Sequence, residues 1–396
     1  MRVGVDATSW VNRRGFGRFT RNAVGRLVER DPDTTYELVI DERSSLEADL
    51  PGRCDVRSVR LGRAPTEAAA AGSSRSVLDL ARLSRAVRRS GVDVFLFTSV
   101  YTYFPVLSTP TVVGVHDAIA HDLPELTFGR RRERVAWKLK ERFAIRRATR
   151  LFTVSETSRL ALADRFALEP EEIAIVPEAP DPVFGPRDAA EITAALAPLG
   201  LAPGEPYVLC AAGGISPHKN VETLVEAYAA LLPDSAHARP RLVVLGGLGG
   251  DDAYLSAVSS VRRLIEQRGL GAHVLLPGFV ADETLACLYA GATVVVNPSL
   301  AEGFGLPAVE AAACEAPVLL SDLAAHRETL GTAAAFFPPC DPAALTRELG
   351  QLLGDRELRR TVARRCREAV AGLTWDAAAD RLRELVHEAG TGRRRG

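Results

Sequence analysis

The segment 297–315 reads NPSLAEGFGLPAVEAAACE and holds two glutamates, Glu302 and Glu310, with seven residues between them. A Gly-Phe-Gly loop at 303–305 leads into a predicted helix that has Pro307 near its first position, where a missing N–H costs nothing. The first N–H groups of a helix lack partners within it, and the helix dipole places partial positive charge there. The segment therefore predicts a phosphate site.

The two carboxylates indicate what surrounds that phosphate. A carboxylate repels a phosphate but accepts hydrogen bonds from hydroxyl groups. A diphosphate with a polyol on each side, as in a nucleotide sugar, would suit both Glu302 and Glu310. The simpler alternative is an ordinary helix start with one solvated glutamate at each end.

A lysine stands at the start of another predicted helix, directly after the turn GGISPH at 213–218. The chain has 49 basic residues, of which only Lys138, Lys140 and Lys219 are lysine. A lysine ammonium is a compact point charge that a guanidinium does not replace. The helix dipole disfavours a cation at this position unless an anion occupies the site, so we predict that Lys219 faces an anion.

Strands that alternate with helices must position these groups. Apolar runs predict strands at 2–5, 36–40, 94–98, 111–115, 151–154, 207–211, 242–245, 293–296 and 317–320. This alternation predicts parallel sheets with ligands at the carboxyl ends of the strands, and 396 residues suffice for two α/β domains. We expect an N-terminal domain at 1–185, a linker at 186–206 where Ala, Pro and Gly dominate, a C-terminal domain at 207–372 and an amphipathic helix at 375–390.

Two further sites follow strands of the first domain. His116-Asp117 comes directly after the strand at 111–115, and the alternative to a functional histidine is a satisfied interior one. Asp117 is expected to orient the histidine or its loop. Gly15 and Gly17 form a predicted turn after the first strand, which could equally be a plain tight turn. The glycine run at 246–250 lacks the spacing of a nicotinamide-binding fingerprint.

Composition limits the class of protein. Hydrophobic residues make up 47% of the chain, and no run approaches the roughly 18 apolar residues of a membrane span. The six cysteines form no C-x-x-C pair, which indicates reduced thiols in a cytoplasmic protein, and no group of residues indicates a metal site. The start goes directly into a strand, so we expect no export.

The segment 130–150 is strongly basic, with ten Arg and Lys residues against Glu133 and Glu141. Apolar residues are interleaved with these charges. This pattern is typical of a helix that contacts a membrane surface or an anionic acceptor, and also of the solvated face of a core helix. No nucleic-acid-binding motif accompanies the charge, so nucleic acid is not expected as a partner.

Together these motifs resemble the retaining glycosyltransferases of family 4, whose fold is called GT-B. The resemblance rests on the two glutamates with GFGLP between them, on Lys219-Asn220, and on the run TVSETSRLALADRFAL, and it extends over nearly the whole chain. It implies an α/β protein of two Rossmann-like domains facing one another across a cleft. The C-terminal helix would cross back to the first domain.

The resemblance also implies roles for single residues. Glu302 would hold a hydroxyl of the donor sugar, Glu310 the ribose, and His116 would reach the sugar from the first domain. The implied catalytic residues are His116, Lys219 and Glu302. The residues implied to bind the donor are Gly15, Gly17, Gly214, His218, Lys219, Phe279, Val280, Glu302, Gly303, Phe304, Gly305, Leu306 and Glu310.

Two positions depart from the family pattern. Family 4 members usually carry an arginine five residues before the lysine, and here that position is Gly214. His218 would compensate in part, and leaving-group stabilisation would rest more heavily on Lys219. Arg13 and Arg14 replace the glycine that usually leads the first loop.

The implied activity is metal-independent transfer of a hexosyl group, with no cofactor, from a nucleoside-diphosphate sugar to a hydroxyl of a glycan, lipid-linked or small-molecule acceptor. GDP-mannose or a deoxyhexose donor is favoured. The expected location is the cytoplasm, with peripheral contact at the inner membrane face through the basic helix at 130–150. The alternatives are a sugar-nucleotide epimerase, a phosphorolytic enzyme of the same fold, and a noncatalytic partner subunit.

Overall fold

The chain divides into two units in the computed structural model, which describes residues 1–12, 14–62, 75–231, 240–248 and 252–392. The first unit comprises Met1–Glu178 and Thr374–Gly396, and the second comprises Ala179–Leu373. Arg13 and the last two glycines of the run 246–250 lie outside the described residues. None of the described helices has both the length and the apolar character needed to cross a membrane.

A parallel sheet of seven strands forms the first unit. The strands are β1 (Arg2–Asp6), β2 (Thr35–Asp41), β3 (Cys54–Val59), β4 (Val94–Phe97), β5 (Thr111–Gly114), β6 (Arg150–Thr153) and β7 (Ile173–Ile175). Their order in the sheet is β3-β2-β1-β4-β5-β6-β7. The helices are α1 (Gly15–Arg30), α2 (Val77–Ser90), α3 (Ile119–Asp122), α4 (Pro124–Thr127), α5 (Arg131–Arg147) and α6 (Glu156–Phe166).

Continuous apolar runs produce the inner strands of this sheet. Every residue of β4 and β5 is buried, as expected for parallel strands covered on both faces. Helix α1 buries the apolar face that its sequence predicts, which includes Phe19 and Leu27. Gly15 and Gly17 lie in the first turn of α1, and not in a turn before it as the spacing predicts. A Cβ on Gly17 would lie 2.1 Å from the Asn12 carbonyl oxygen, so the loop packs directly on the start of the helix.

The last helix, α15 (Trp375–Gly390), belongs to the first unit although 195 residues of the second unit precede it. It packs along α1, where Trp375 meets the Phe19 ring at 5.9 Å between centroids and Asp380 pairs with Arg30 at 2.6 Å. A Cβ on Gly390 would lie 2.7 Å from the Met1 sulfur. The helix therefore returns to the first domain, as the family resemblance implies.

A parallel sheet of six strands forms the second unit. The strands are β8 (Tyr207–Gly214), β9 (Arg241–Gly247), β10 (Val274–Gly278), β11 (Val294–Asn297), β12 (Val318–Ser321) and β13 (Ala335–Phe337), in the order β10-β9-β8-β11-β12-β13. The helices are α7 (Ala189–Leu196), α8 (Val221–Leu231), α9 (Asp252–Gln267), α10 (Asp282–Gly291), α11 (Leu306–Ala313), α12 (Ala324–Leu330), α13 (Pro342–Gly354) and α14 (Arg356–Val370).

The range 186–206, predicted from composition as a linker, contains helix α7. Asp188 caps this helix by accepting hydrogen bonds from the backbone N–H groups of Ala190 and Glu191, at 2.9 and 2.8 Å. The helix packs against α10, where a Cβ on Gly291 would lie 2.7 Å from Ile192. It is short and rich in alanine and fully buries only Leu196, so its periodicity in the sequence is weak.

Candidate active site

The loop that follows β11 is built on the side chain of Asn297. Its Oδ1 accepts hydrogen bonds from the Ser299 hydroxyl at 2.6 Å and the Ser299 backbone N–H at 3.3 Å. The Ser299 carbonyl accepts from the Ser321 hydroxyl at 2.6 Å, which ties the loop to the end of β12. Ser299 and Ser321 are fully buried. The loop therefore has a fixed course before it reaches Glu302.

Gly305 turns the chain from this loop into α11. Its φ of +89° lies in the left-handed region, and a Cβ there would lie 2.9 Å from Cδ2 of His326. Gly305 is the N-cap residue and has no side chain that could cap this end of the helix. Pro307 has no N–H, and the Ala308 N–H donates to the Gly305 carbonyl at 2.9 Å. The partial positive charge of the helix dipole at the amino end of α11 is therefore not met by an N-cap side chain.

Lys219 and Glu302, predicted separately from two motifs, are in direct contact. The Lys219 Nζ donates to Glu302 Oε1 at 2.7 Å, and the exposed fractions of the two side chains are 16% and 8%. The same Oε1 accepts from the Ser299 hydroxyl at 2.6 Å. The structure places Lys219 at the end of the turn 217–219, two residues before α8, and not at the first position of that helix as the sequence predicts. Within the described chain, the anion that faces Lys219 is the Glu302 carboxylate.

Two further hydrogen bonds join the turn 217–220 to the loop after β11. The His218 carbonyl accepts from the Leu300 backbone N–H at 2.8 Å, and the Asn220 side chain donates to the Pro298 carbonyl at 3.1 Å. Asn220 itself has a left-handed φ of +53°, and its Oδ1 accepts from the Thr223 hydroxyl at 2.7 Å. The lysine is therefore presented by a turn that is fastened to the glutamate loop.

Burial alone would raise the pKa of Glu302, but its surroundings reverse that effect. The Lys219 ammonium, the nearby His326 ring and the Ser299 hydroxyl together lower the pKa of Glu302 to about 2. Glu302 is therefore ionised at neutral pH and acts as a hydrogen-bond acceptor there.

His326 is a member of this cluster that the sequence motifs did not identify. The residue is fully buried under Gly305, and its Nδ1 donates to the Ser321 carbonyl at 2.8 Å. Its Nε2 has no hydrogen-bond partner among the described residues. Burial lowers the pKa of His326, with Glu302 acting in the opposite direction. A histidine in the middle of a short helix carries no motif, so only the folded chain reveals it.

The other residues of the second unit predicted to bind the donor lie near strand ends or in α11. Glu310 is buried in the middle of α11. Phe279 follows β10 with 46% of its side chain exposed, and its ring lies over Gly247, where a Cβ would come within 2.7 Å. Gly247 pairs with Gly214 between β8 and β9. Val280 follows Phe279 and precedes α10.

His116 lies in the first unit, two residues beyond the end of β5. Its Nε2 donates to the Thr98 carbonyl at 2.8 Å, so the proton of the neutral ring sits on Nε2. Nδ1 faces Glu178 Oε1 at 3.8 Å, and the ring meets the edge of Phe19 at 4.8 Å between centroids. Burial lowers the pKa of His116 to about 4, so the imidazole is neutral at physiological pH. The Asp117 carboxylate accepts from the Ile119 N–H at 2.9 Å and thereby shapes the following turn.

The second unit thus brings Lys219, Glu302 and the start of α11 into one cluster, with Glu310 inside that helix. A cation and a helix amino end can stabilise negative charge, and the carboxylate can bind a hydroxyl. No group of three or more His, Cys, Asp or Glu side chains within the described ranges could hold a metal ion. All six cysteines are free thiols.

Comparison with known proteins decides the family. The model described as "Glycosyltransferase Family 4" matches residues 14–183, and that described as "Glycosyl transferases group 1" matches residues 198–369. The O-antigen chain mannosyltransferase B of Escherichia coli is 30% identical over 275 residues, which cover 69% of both proteins. The chain belongs to the glycosyltransferases of family 4. The D-inositol 3-phosphate glycosyltransferase of Nocardia farcinica is also similar to this family 4 chain, with 31% identity over 278 residues.

The extent of the match to these relatives is partial. The match to the Nocardia protein covers 69% of this chain but only 60% of that protein. The MMP alpha-(1->4)-mannosyltransferase of Mycolicibacterium hassiacum is 32% identical, and the match covers 59% of this chain and 53% of that relative.

Solved structures confirm the predicted GT-B fold. Sucrose-phosphate synthase from Thermosynechococcus elongatus has a TM-score of 0.77 at 18% identity and covers 99% of this chain and all (100%) of its own. Anabaena HepE, solved with UDP and glucose, has a TM-score of 0.74 at 18% identity and covers 98% of this chain and 99% of its own. At this level of identity the likeness concerns the fold alone.

Proposed function

We propose that this chain transfers a hexosyl group from a nucleoside-diphosphate sugar to a hydroxyl of an acceptor, with retention of anomeric configuration. The observation that carries the proposal is the Lys219 ammonium held 2.7 Å from a buried, ionised Glu302, in the loop that leads through Gly305 into α11. Membership of family 4 supports the same reaction. In this proposal the predicted C-terminal domain at 207–372 binds the donor, and the predicted N-terminal domain at 1–185, completed by the helix at 375–390, binds the acceptor.

The donor diphosphate is proposed to bind the amino end of α11. The donors would be backbone N–H groups of Gly303, Phe304, Gly305 and Leu306, helped by Lys219. His218 and Gly214 would approach the same phosphates, and Gly15 and Gly17 would do so from the first unit. Support comes from Gly305, whose left-handed φ of +89° turns the loop into the helix and which brings no capping side chain of its own.

The two carboxylates and the β10 loop are proposed to bind the organic parts of the donor. Glu302 would accept a hydrogen bond from a hydroxyl of the sugar, and Glu310 would accept hydrogen bonds from the hydroxyls of the ribose. The nucleobase would rest against the backbone of Phe279 and Val280. The half-exposed Phe279 ring over Gly247 supports a flat ligand at this point.

The chemical step breaks the bond between the anomeric carbon and the β-phosphate oxygen, and the electron pair leaves with the diphosphate. Lys219 and the α11 dipole stabilise the charge that develops there. His116 is neutral and carries its proton on Nε2, so its Nδ1 would accept a hydrogen bond from a sugar hydroxyl. The acceptor oxygen is proposed to attack the same face through an ion-pair-like transition state, with no metal ion required. As the new bond from this oxygen to the anomeric carbon forms, the acceptor hydroxyl gives its proton to the departing diphosphate oxygen on that face.

The identities of donor and acceptor are the finer part of the proposal. Two relatives are named as mannosyltransferases, which favours GDP-mannose or a deoxyhexose donor. HepE binds UDP and glucose, which makes UDP the principal competing base. The acceptor is proposed to be a glycan, a lipid-linked molecule or a small molecule. Action in the cytoplasm, with peripheral contact at the inner membrane face through the basic helix at 130–150, is also proposed.

Thermal unfolding with GDP, UDP, dTDP and ADP identifies the base, because a ligand that binds only the folded state raises Tm. We expect one nucleotide to raise Tm well above the others, and no dependence of that shift on EDTA. An equal absence of shift with all four would overturn the donor site.

Release of the nucleoside diphosphate only when an acceptor is added separates transfer from epimerisation, which needs no acceptor, and from a noncatalytic subunit, which releases nothing. Release with inorganic phosphate as the only acceptor would indicate phosphorolysis.

A further inference from the structure

The outer side of helix α5 carries a line of exposed apolar residues. Val135, Leu139 and Phe143 are spaced four apart and have exposed fractions of 50%, 65% and 40%. This spacing places them along one side of the helix. The opposite side, which includes Trp137 and Ile145, is buried in the core. The helix therefore has its core contact already, and this second apolar line faces outward.

Basic side chains share the outer side with this apolar line. At 100° per residue they lie within about a third of a turn of Leu139 along the helix. They are Arg131, Arg132, Lys138, Arg142 and Arg146. None of these five forms an ion pair with a carboxylate in the described part of the chain.

The two glutamates of α5 have partners other than these five cations. Glu141 is buried and pairs with His121, and Glu133 accepts from the Arg130 backbone N–H at 3.2 Å. Lys140 also points elsewhere, because its Nζ donates to the Tyr101 carbonyl at 3.1 Å and lies over the Trp137 ring. The outer side thus combines apolar residues with uncompensated positive charge.

A cavity of about 830 Å³ opens beside the carboxyl-terminal half of α5. Four arginines line it, Arg142, Arg146, Arg147 and Arg165, and no carboxylate is among its described lining residues. Of the four, only Arg165 pairs with an acid within the described ranges, namely Asp122 at 2.8 Å. Leu107, which is 66% exposed, also lines this cavity and adds an exposed apolar side chain to it.

This region is distinct from the His116 site of the same unit. The cavity is bounded by residues 107–110, just before β5, and by 147–149, just before β6. His116 follows the other end of β5. Because β5 and β6 are parallel, the cavity lies at the amino edge of the sheet and His116 at its carboxyl edge.

We propose that the outer side of α5 and this cavity form a binding surface for an anionic phospholipid bilayer. Val135, Leu139 and Phe143 enter the boundary between headgroups and acyl chains, and the flanking cations meet the anionic headgroups. The cavity receives one phosphodiester headgroup between its arginines. The inference deepens the peripheral contact given under the proposed function and does not depend on the transfer reaction.

Co-sedimentation of the full chain with vesicles tests this surface. We expect binding to vesicles of phosphatidylcholine with phosphatidylglycerol, little binding to phosphatidylcholine alone, and loss of binding as salt is raised. The double variants Leu139→Gln with Phe143→Gln, and Arg142→Gln with Arg146→Gln, should each lower the partition coefficient about tenfold or more.

Control variants remove similar basic and apolar side chains elsewhere in the first unit. Arg88→Gln with Arg89→Gln removes the same net charge from the exposed side of α2, and Leu160→Gln removes an exposed leucine from α6. These variants should bind vesicles as the parent does. Equal losses in the control and test variants would overturn the proposal, and so would unchanged binding in the test variants.

Two other outcomes would also overturn the proposal. One is concentration-dependent self-association of the parent, abolished in Leu139→Gln with Phe143→Gln, which would assign the surface to a second copy of the chain. The other is equal binding to neutral and anionic vesicles. The Tm shift with nucleotides, measured on each variant, shows that the chain is folded and reports separately on the donor site.

Discussion

The loop after β11 and the outer side of α5 are both rich in charge but treat it in opposite ways. In the loop, the Glu302 carboxylate is buried and contacts both the Lys219 ammonium and the Ser299 hydroxyl. On α5, five cations lie on the outer side without carboxylate partners among the described residues. The first arrangement holds its charged groups in a fixed geometry. The second leaves a positive electrostatic potential that attracts an anionic surface.

The comparison shows how charged groups that are positioned for a reaction differ from charged groups that only attract a partner surface. A transferring group needs donors and acceptors held in place before it arrives. Buried partners do that, and they also shift pKa values, as for Glu302 and His116. A contact surface needs only excess charge and exposed apolar area. Substitutions in the two regions should therefore have effects of very different size.

Lys219→Ala should have the largest effect. In the proposed reaction Lys219 meets the departing phosphate, so its removal should lower turnover roughly 10²- to 10³-fold. The change also leaves the Glu302 carboxylate buried without its counter-charge, so the free energy of unfolding should fall by about 1–3 kcal/mol. Steady-state kinetics and denaturant unfolding measure the two losses.

A second substitution separates these two losses. Adding Glu302→Gln to Lys219→Ala removes the uncompensated charge, so stability should recover in part while turnover stays low. Recovery of turnover together with stability would show that Lys219 serves only the fold.

His116→Gln should remove a pH dependence of stability. The unfolded chain takes up a proton at the ordinary histidine pKa of 6.5, whereas His116 in the folded chain does so only near 4. The unfolded state therefore binds more protons in this window, and the parent should lose up to roughly 3 kcal/mol of stability as pH falls from 6.5 to 4.

Glutamine keeps a donor for the Thr98 carbonyl but does not titrate in this range. Chemical unfolding at several pH values should show a shallower slope for His116→Gln. A residual slope is expected, because burial lowers the pKa of His326 as well. An unchanged slope would contradict the buried, neutral state of His116.

Gly305→Ala should have an intermediate effect. A methyl group would be forced into a φ of +89° and would lie 2.9 Å from the His326 ring, so we expect a loss of about 1–3 kcal/mol in stability. The Tm shift with the preferred nucleotide should shrink as well. Adding His326→Ala should relieve the contact but not the backbone strain, so only part of the stability should return.

Leu139→Gln alone should have the smallest effect. The side chain is 65% exposed, so the free energy of unfolding should change by no more than about 0.5 kcal/mol. The nucleotide-induced Tm shift should equal that of the parent. A loss of stability above 1 kcal/mol, measured by denaturant unfolding, would mean that this side of α5 belongs to the core and not to a surface.

The sequence predicts the inner strands of both sheets but none of the four edge strands, β3, β7, β10 and β13. An inner strand is covered on both faces and reads as an unbroken apolar run, as in β4 and β5. Strand β3 reads CDVRSV and is half exposed, so its pattern does not differ from that of a loop. Pairing at an edge depends on the neighbouring strand, which local sequence does not contain.

The same limit applies to the candidate site. Residue type and spacing predict Lys219, Glu302 and Gly305, because each lies between a predicted strand and the helix that follows it. The residues that hold them in place, Asn297, Ser299 and His326, act through hydrogen bonds and packing formed only in the folded chain. Their types are common in loops and helices, and nothing in their spacing distinguishes them.

The return of α15 to α1 has a consequence for the order in which the chain folds during synthesis. The second unit is contiguous from Ala179 to Leu373 and can complete its sheet as soon as it leaves the ribosome. The first unit begins earlier in the chain but lacks the helix that contacts Phe19 and Met1 until residues 375–390 emerge. The unit that begins earlier is thus completed later, and truncation before Trp375 should yield a chain that nascent-chain chaperones retain.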